Sequence, residues 1–199
     1  MRYSSTHKQE VREKLLASSR AIAKSGGFEA TGVDALMGAI GMTGGAFYSH
    51  FPSKQALFEA LISEEVDNSA DMLAGNENSP ADHVARCLRG YLSSFHVDNA
   101  DKGCALTALG PEIARAGPGV RKAVEASLKR TQKNWSDRIG GDSDGAWALI
   151  AQCVGAVVLA RSVESEKTRK ELLAASRRFI DKVYALEPPC ATSAGHKKA

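Results

Sequence analysis

The chain has 199 residues, 43% hydrophobic and 25% charged, enough for one ordinary globular domain or a small one joined to a larger one. A low aromatic share of 6%, with abundant Ala, Leu, Glu, Lys and Arg, favours helices and argues against disorder as the default state. The net charge of +3 lies wholly in residues 1–54, where seven Lys and Arg face four Asp and Glu while the remainder balances at nineteen of each; a basic segment on a neutral body fits a module that faces a polyanion.

Apolar residues recur at helical spacing along nearly the whole chain, and no long stretch alternates with period two, so the expected fold is all-α with about nine helices. Val11, Leu15, Ser18 and Ile22 mark the first, which should stop at Gly26–Gly27. Thr31 and Asp34 read as a capping box for a short second helix bearing Val33, Leu36, Met37 and Ile40. Thr43 is placed to cap a third, about residues 44–50, and Ser53 a fourth that carries Leu57, Phe58, Leu61, Ile62 and Val66. After a polar break, Ser79-Pro80-Ala81-Asp82 reads as a fifth helix start, with Val84, Leu88, Tyr91, Leu92 and Phe95 along one stripe. A sixth helix holds Leu106, Leu109 and Ile113 and is disturbed at Pro111; Pro118 opens a seventh through Trp135. Helix eight, about 144–163, is apolar almost all round and so needs partners on more than one side, and helix nine, about 166–186, repeats Leu172, Phe179, Ile180 and Val183. Residues 188–199 lack periodicity and read as a disordered tail.

Cys87, Cys104, Cys153 and Cys190 are too far apart for a Cys-x-x-Cys metal or redox motif, so no metal or cofactor is expected. No secretory signal follows Met1, which makes a reducing cytoplasm the expected compartment. The most apolar run, residues 146–160, contains Gln152 and falls short of the ~20 residues that cross a bilayer, so no membrane span is expected.

Two short helices joined by Gly41-Met42-Thr43 and backed by a longer one have the dimensions of a helix-turn-helix. A helix that enters a DNA groove must bring its backbone close to bases and phosphates, and Gly44, Gly45 and Ala46 leave room for that approach. Phe47 and Phe51, four apart, should face the scaffold, while Tyr48 and His50 fall on other faces and Lys54 supplies a cation.

Residues 9–58, above all "ATGVDALMGAIGMTGGAFYSHFPSKQALF", resemble the DNA-binding segment of the TetR/AcrR family of transcriptional regulators in turn, aromatic pair, lysine and caps. "KGCALTALGPEIA" is similar to the sixth-helix signature of one subgroup, departing from it at Gly110–Pro111. The resemblance implies a DNA-binding domain over 1–54, an effector-binding and dimerisation domain over 55–187 and a tail over 188–199. It makes Thr31, Tyr48, His50 and Lys54 phosphate contacts and puts Thr43, Gly44, Ala46 and Ser49 nearest the bases of a double-stranded operator. With no Arg, Asn or Gln in the recognition helix, specificity is expected to lean on methyl contacts, DNA shape and an arm with Arg2, Tyr3 and Lys8.

It further implies a homodimer through helices eight and nine, a palindromic site, and a cavity among helices four to eight for a small-molecule effector of unknown identity. Phe95, Cys104, Leu106, Thr107, Trp135, Trp147 and Gln152 are its candidate lining residues, and core filling is the competing role for each. Cys104, after Lys102–Gly103 near a helix start, is either a sensor of electrophiles and oxidants or a small packing residue. The expected function is a ligand-responsive repressor. The alternatives are an unregulated architectural or protein-interaction helix bundle, and an enzyme pairing His96 with Cys104, for which no third group is evident.

Overall fold

Helix α1 (Ser5–Gly26) ends where Gly27 takes φ +85°, a left-handed turn that favours glycine. The computed structural model describes residues 5–76 and 78–184; Arg2, Tyr3, Cys190 and the expected tail lie outside the described residues. After α1 come α2 (Val33–Gly38), the 3₁₀ helix η1 (Gly44–Ser49), α3 (Lys54–Ala74), α4 (His83–Tyr91), α5 (Ser94–Asp98), the short η2 (Ala100–Lys102), α6 (Ala105–Arg115), α7 (Pro118–Arg138), α8 (Ser143–Ser162) and α9 (Glu166–Tyr184). Among the described residues there is no strand, so the fold is all-α.

Several starts and stops follow from local chemistry. Ser53 caps α3, its Oγ accepting the Ala56 N–H at 3.0 Å, and Pro118 takes the first position of α7, where its missing N–H costs nothing. Other expectations need correction. The Thr31 hydroxyl donates back to the Gly27 carbonyl at 2.8 Å, so Gly32, without a side-chain cap, occupies the N-cap of α2 and the capping box does not form. Thr43 holds the N-cap of η1 but makes no side-chain cap bond. Ser79 is spent on the Asn76 N–H at 2.8 Å, and regular helix begins only at His83. The expected single fifth helix is two: α4 stops at Tyr91, and the Ser93 hydroxyl accepts from the His96 N–H to start α5, turning Phe95 out to 64% exposure. Pro111, by contrast, sits inside a continuous α6.

Two cores result. One joins α1, α2, η1 and α3 to α6 and the start of α7 through Leu15, Leu36, Met37, Phe47, Phe51, Leu57, Phe58, Leu109 and Val120. The other joins α4, α5, the end of α7, α8 and α9 through Leu88, Leu92, Trp135, Leu149, Val157, Leu173 and Ile180. Leu128 of α7 packs against both. The first core extends across the expected 54/55 boundary, because α3 and α6 complete the shell around the short helices.

Candidate nucleic-acid interface and its links to the body

Phe47 and Phe51 are fully buried with their rings stacked 6.1 Å apart, which fixes η1 to α1 and α2 and turns the intervening residues outward. Tyr48, edge-on to Phe47 at 5.3 Å, is 67% exposed. Thr43, Gly45 and Ser49 are also exposed, and Gly44, Ala46 and His50 half-buried. Ser49 commits its hydroxyl hydrogen to the Ala46 carbonyl at 2.7 Å, leaving lone pairs for a donor.

Gly44 has a structural cause of its own. A Cβ there would meet the Asp34 carboxylate of α2, the movable end of an exposed side chain, with the α2 backbone at ordinary contact distance, so glycine lets Asp34 lie against η1. Gly45, with nothing within 4 Å of a built Cβ, is the one that leaves open space.

Arg12 of α1 lies over the Phe51 ring at 3.9 Å and donates to the His50 carbonyl at 2.9 Å, placing a guanidinium beside the end of η1. Partial burial first, then the nearby Lys8 charge, lower the His50 pKa; its ring is therefore neutral near pH 7. Lys54 donates to the Glu29 carbonyl at 2.9 Å with its ammonium 5.0 Å from the Phe28 ring centroid, and Thr31 closes the same loop. Thr31 and the Lys54 ammonium, which reaches over from the first residue of α3, thus meet at the α1–α2 loop.

Two polar attachments that sequence reasoning missed tie this head to the body. Lys24 of α1, buried, donates to Glu65 Oε2 of α3 at 2.7 Å and to the Gly103 carbonyl before α6 at 2.9 Å. Glu65 Oε1 is engaged by Arg20 at 2.8 Å, and Arg20 also meets Glu64 at 2.7 Å, so the cluster is electrically balanced. Glu112 of α6 is the second attachment: its carboxylate accepts the Phe28 N–H (3.0 and 3.1 Å to its two oxygens) and the Glu29 N–H at 3.0 Å. These partners are too far apart in sequence for any short-range pattern to pair them.

Within the body, Arg161 of α8 donates to the Val97 carbonyl (3.1 Å), the His96 carbonyl (2.6 Å) and the Thr107 hydroxyl (2.8 Å), fastening α5 and α6 together. His96 is buried, and burial lowers its pKa. Its Nε2 accepts the Cys104 backbone N–H at 2.9 Å, which requires the ring proton on Nδ1, facing the Tyr91 carbonyl at 2.8 Å. His96 and Cys104 are neighbours, therefore, but the imidazole is bonded to the amide and not to the thiol.

Two cavities flank this point. A void of about 40 Å³ is lined by Cys104, Leu106, Leu128, Trp135, Ile150 and Cys153 among others. A cleft of about 570 Å³ runs past Lys24, Met72, Tyr91, Phe95, Lys102 and Cys104 among others. Tyr91 and Cys104 border both, and the buried Tyr91 hydroxyl, which has no hydrogen-bond partner among the described residues, is pushed upward in pKa by burial and then by Cys104. Burial also pushes the Cys153 thiol up to about 12. Of the expected lining residues, Cys104, Leu106 and Trp135 reach the void, and Phe95 and Cys104 the cleft. Thr107, Trp147 and Gln152 line neither: Thr107 is held by Arg161, Trp147 is on the exposed side of α8, and Gln152 donates to Ser176 of α9 at 3.1 Å. Among the described residues no group of three or more His, Cys, Asp or Glu is gathered for a metal.

The outer side of α8 leaves Trp147, Ala151, Val158 and Leu159 exposed, and α9, packed beside it, leaves Phe179 and Val183 exposed. By length and composition the 20-residue α8 is apolar enough to cross a membrane; 39% of its apolar window is buried inside the fold.

Residues 15–61 match the family described as bacterial regulatory proteins, tetR family. Over 124 residues the chain is 23% identical to the HTH-type transcriptional repressor NemR of Escherichia coli (strain K12), a stretch that covers 60% of this chain and 62%, under two thirds, of that protein. The reduced form of E. coli NemR has the same fold, with a TM-score of 0.74 and 20% identity over 89% of this chain and all of that one. A TetR transcriptional regulator from Legionella pneumophila superposes with a TM-score of 0.71 at 21% identity, covering 92% of this chain and all of that one.

Proposed function

We propose that the chain, whose residues 15–61 match the tetR family of bacterial regulatory proteins, is a ligand-responsive transcriptional repressor that binds a palindromic operator as a homodimer. The observation that carries the reading is η1: two buried phenylalanines hold it against α1 and α2, with Tyr48, Thr43 and Ser49 presented outward and Lys8, Arg12 and Lys54 nearby. Residues 1–54 are the DNA-reading module and 55–187 the effector and dimerisation module. Tyr48, His50, Thr31 and Lys54 meet phosphates, and Thr43, Gly44, Ala46 and Ser49 lie nearest the bases. A neutral His50 donates a ring N–H to a phosphate oxygen without adding a charge.

The exposed apolar side of α8 and α9 is the surface that pairs with a second copy, and covering it removes Trp147, Phe179 and Val183 from water. A two-fold dimer sets two η1 elements at the spacing of successive grooves. Release follows when an effector, or a thiol-reactive compound at Cys104, binds the DNA-incompetent state better than the competent one. The cytoplasm is the compartment in which such a protein meets DNA.

The test is a mobility-shift titration with the DNA upstream of the chain's own gene at two salt concentrations. Selective retention against competitor DNA is expected; binding to any duplex that vanishes with salt would instead indicate an unregulated architectural protein. Phe179→Glu is expected to yield a monomer by light scattering and to lose the shift, whereas a dimer that persists would remove α9 from the interface.

A further inference from the structure

The 570 Å³ cleft lies within the range of about 300–1,000 Å³ usual for small-molecule sites. Its wall is divided by chemistry. Met72 (65% exposed), Leu73, Tyr91 and Phe95 are its apolar members, and Met72 and Phe95 are left exposed by the described residues. The wall also carries Lys24, Lys102 and Arg86, the last paired with Asp82 at 2.9 Å. The one carboxylate on the wall, Glu65, is already engaged on both oxygens, by Arg20 and by Lys24. Lys102 is exposed and has no ion-pair partner among the described residues. Lys24 uses two of its three N–H bonds, on Glu65 and on the Gly103 carbonyl. A cationic guest would meet lysines with no free acid to receive it; an anionic one would find a spare donor and an uncompensated charge.

We propose that this cleft binds an amphipathic organic monoanion, an apolar-tailed carboxylate, with its oxygens on Lys24 and Lys102 and its tail against Met72, Tyr91 and Phe95. Only the consequence for DNA rests on the repressor reading. Lys24 belongs to α1, which carries the DNA-reading head, and Gly103 to the segment that begins α6. A carboxylate that takes the third Lys24 N–H pulls the ammonium toward the cleft, and so lengthens its bond to the Gly103 carbonyl and loosens the tie between head and body. The site opens beside the head, outside the small void enclosed by α3, α7 and α8.

The probe is decanoate, below its micellar concentration, compared with its neutral amide, decanamide, by calorimetric titration of the full-length protein. Decanoate is expected to saturate at one per chain and to bind about tenfold or more tighter than the amide, the scale of a hydrogen bond to a charged group. Lys24→Met should abolish that preference and Lys102→Met reduce it. Phe95→Ser and Met72→Ser, at exposed positions, should weaken acid and amide alike. Equal affinity for acid and amide, or unchanged binding in both serine variants, overturns the proposal, as does a preference that survives in a folded Lys24→Met protein. The operator shift is run on the same sample without and with decanoate. Retention of operator with no decanoate binding rejects the cleft alone, whereas decanoate binding without operator retention rejects the repressor reading and leaves the site standing. Where both occur, decanoate should release the operator from the wild type and not from Lys24→Met.

Discussion

The two cores are built differently. Around the reading head, four phenylalanines (Phe28, Phe47, Phe51 and Phe58) pack with Leu36, Met37 and Leu57 at almost complete burial. The body core has one large ring, Trp135, among alanines, Cys153 and aliphatics, and between the two cores lies the small void, lined by Val66, Ala105 and Val124 of the first and Trp135, Ile150 and Cys153 of the second. Close packing transmits force without yielding, while gaps are where a second arrangement becomes accessible. Under the proposed function, presentation falls to the first region and response to the second, and the bonds Lys24–Gly103 and Glu112–Phe28 join them.

The largest expected effects come from emptying each core in turn. Phe47→Ala and Trp135→Ala should each cost about 3–5 kcal/mol. Because α3 and α7 are shared, ellipticity and tryptophan fluorescence should report one coincident denaturant transition in both variants; separated transitions would show that the cores melt independently. Next, Glu112→Ala, which strips the acceptor from two backbone N–H groups, should cost about 1.5–3 kcal/mol. Its weight should fall on operator affinity in a shift assay, with dimerisation untouched; equal losses in both would mean that α6 is not a joint. Ser53→Ala removes the cap of α3 and should cost about 1 kcal/mol, read as a lowered midpoint in urea.

The smallest effect is a pH dependence confined to the body. His96 has a pKa below its ordinary 6.5 because it is buried. Above 6.5 it is neutral in both folded and unfolded chains. As pH falls below that value the unfolded chain takes up a proton that the folded one resists, so stability declines until the folded pKa is passed. Thermal midpoints from pH 7.5 down to 5 should therefore fall more steeply in the wild type than in His96→Gln; identical slopes would show that the imidazole does not contribute.

Much of this architecture was legible in the sequence where one residue settles the local outcome. Gly27 ends α1, Ser53 starts α3, Pro118 opens α7, and the spacing of Phe47 and Phe51 turned both rings inward. What misled was competition between equally good local partners. Thr31 and Ser79 each found a backbone group other than the one a capping motif assigns, and Ser93 broke a stripe whose periodicity ran on through Phe95. What stayed invisible was long-range polar pairing: nothing in the periodicity distinguishes Arg161, Lys24, Glu65 or Glu112 from other charges on their helices. Helix periodicity tells which side is buried, but not which buried cation meets which carbonyl eighty residues away.

The contact between Gly44 and Asp34 bears on how such a protein could be retargeted. A side chain at position 44 must first displace the exposed Asp34 carboxylate, while the α2 backbone stays at ordinary contact distance, so the two positions change as a pair. Libraries aimed at new operators should vary 34 and 44 together and 43, 45, 48 and 49 singly, where the side chains are exposed, and keep Ala46, which packs against the core.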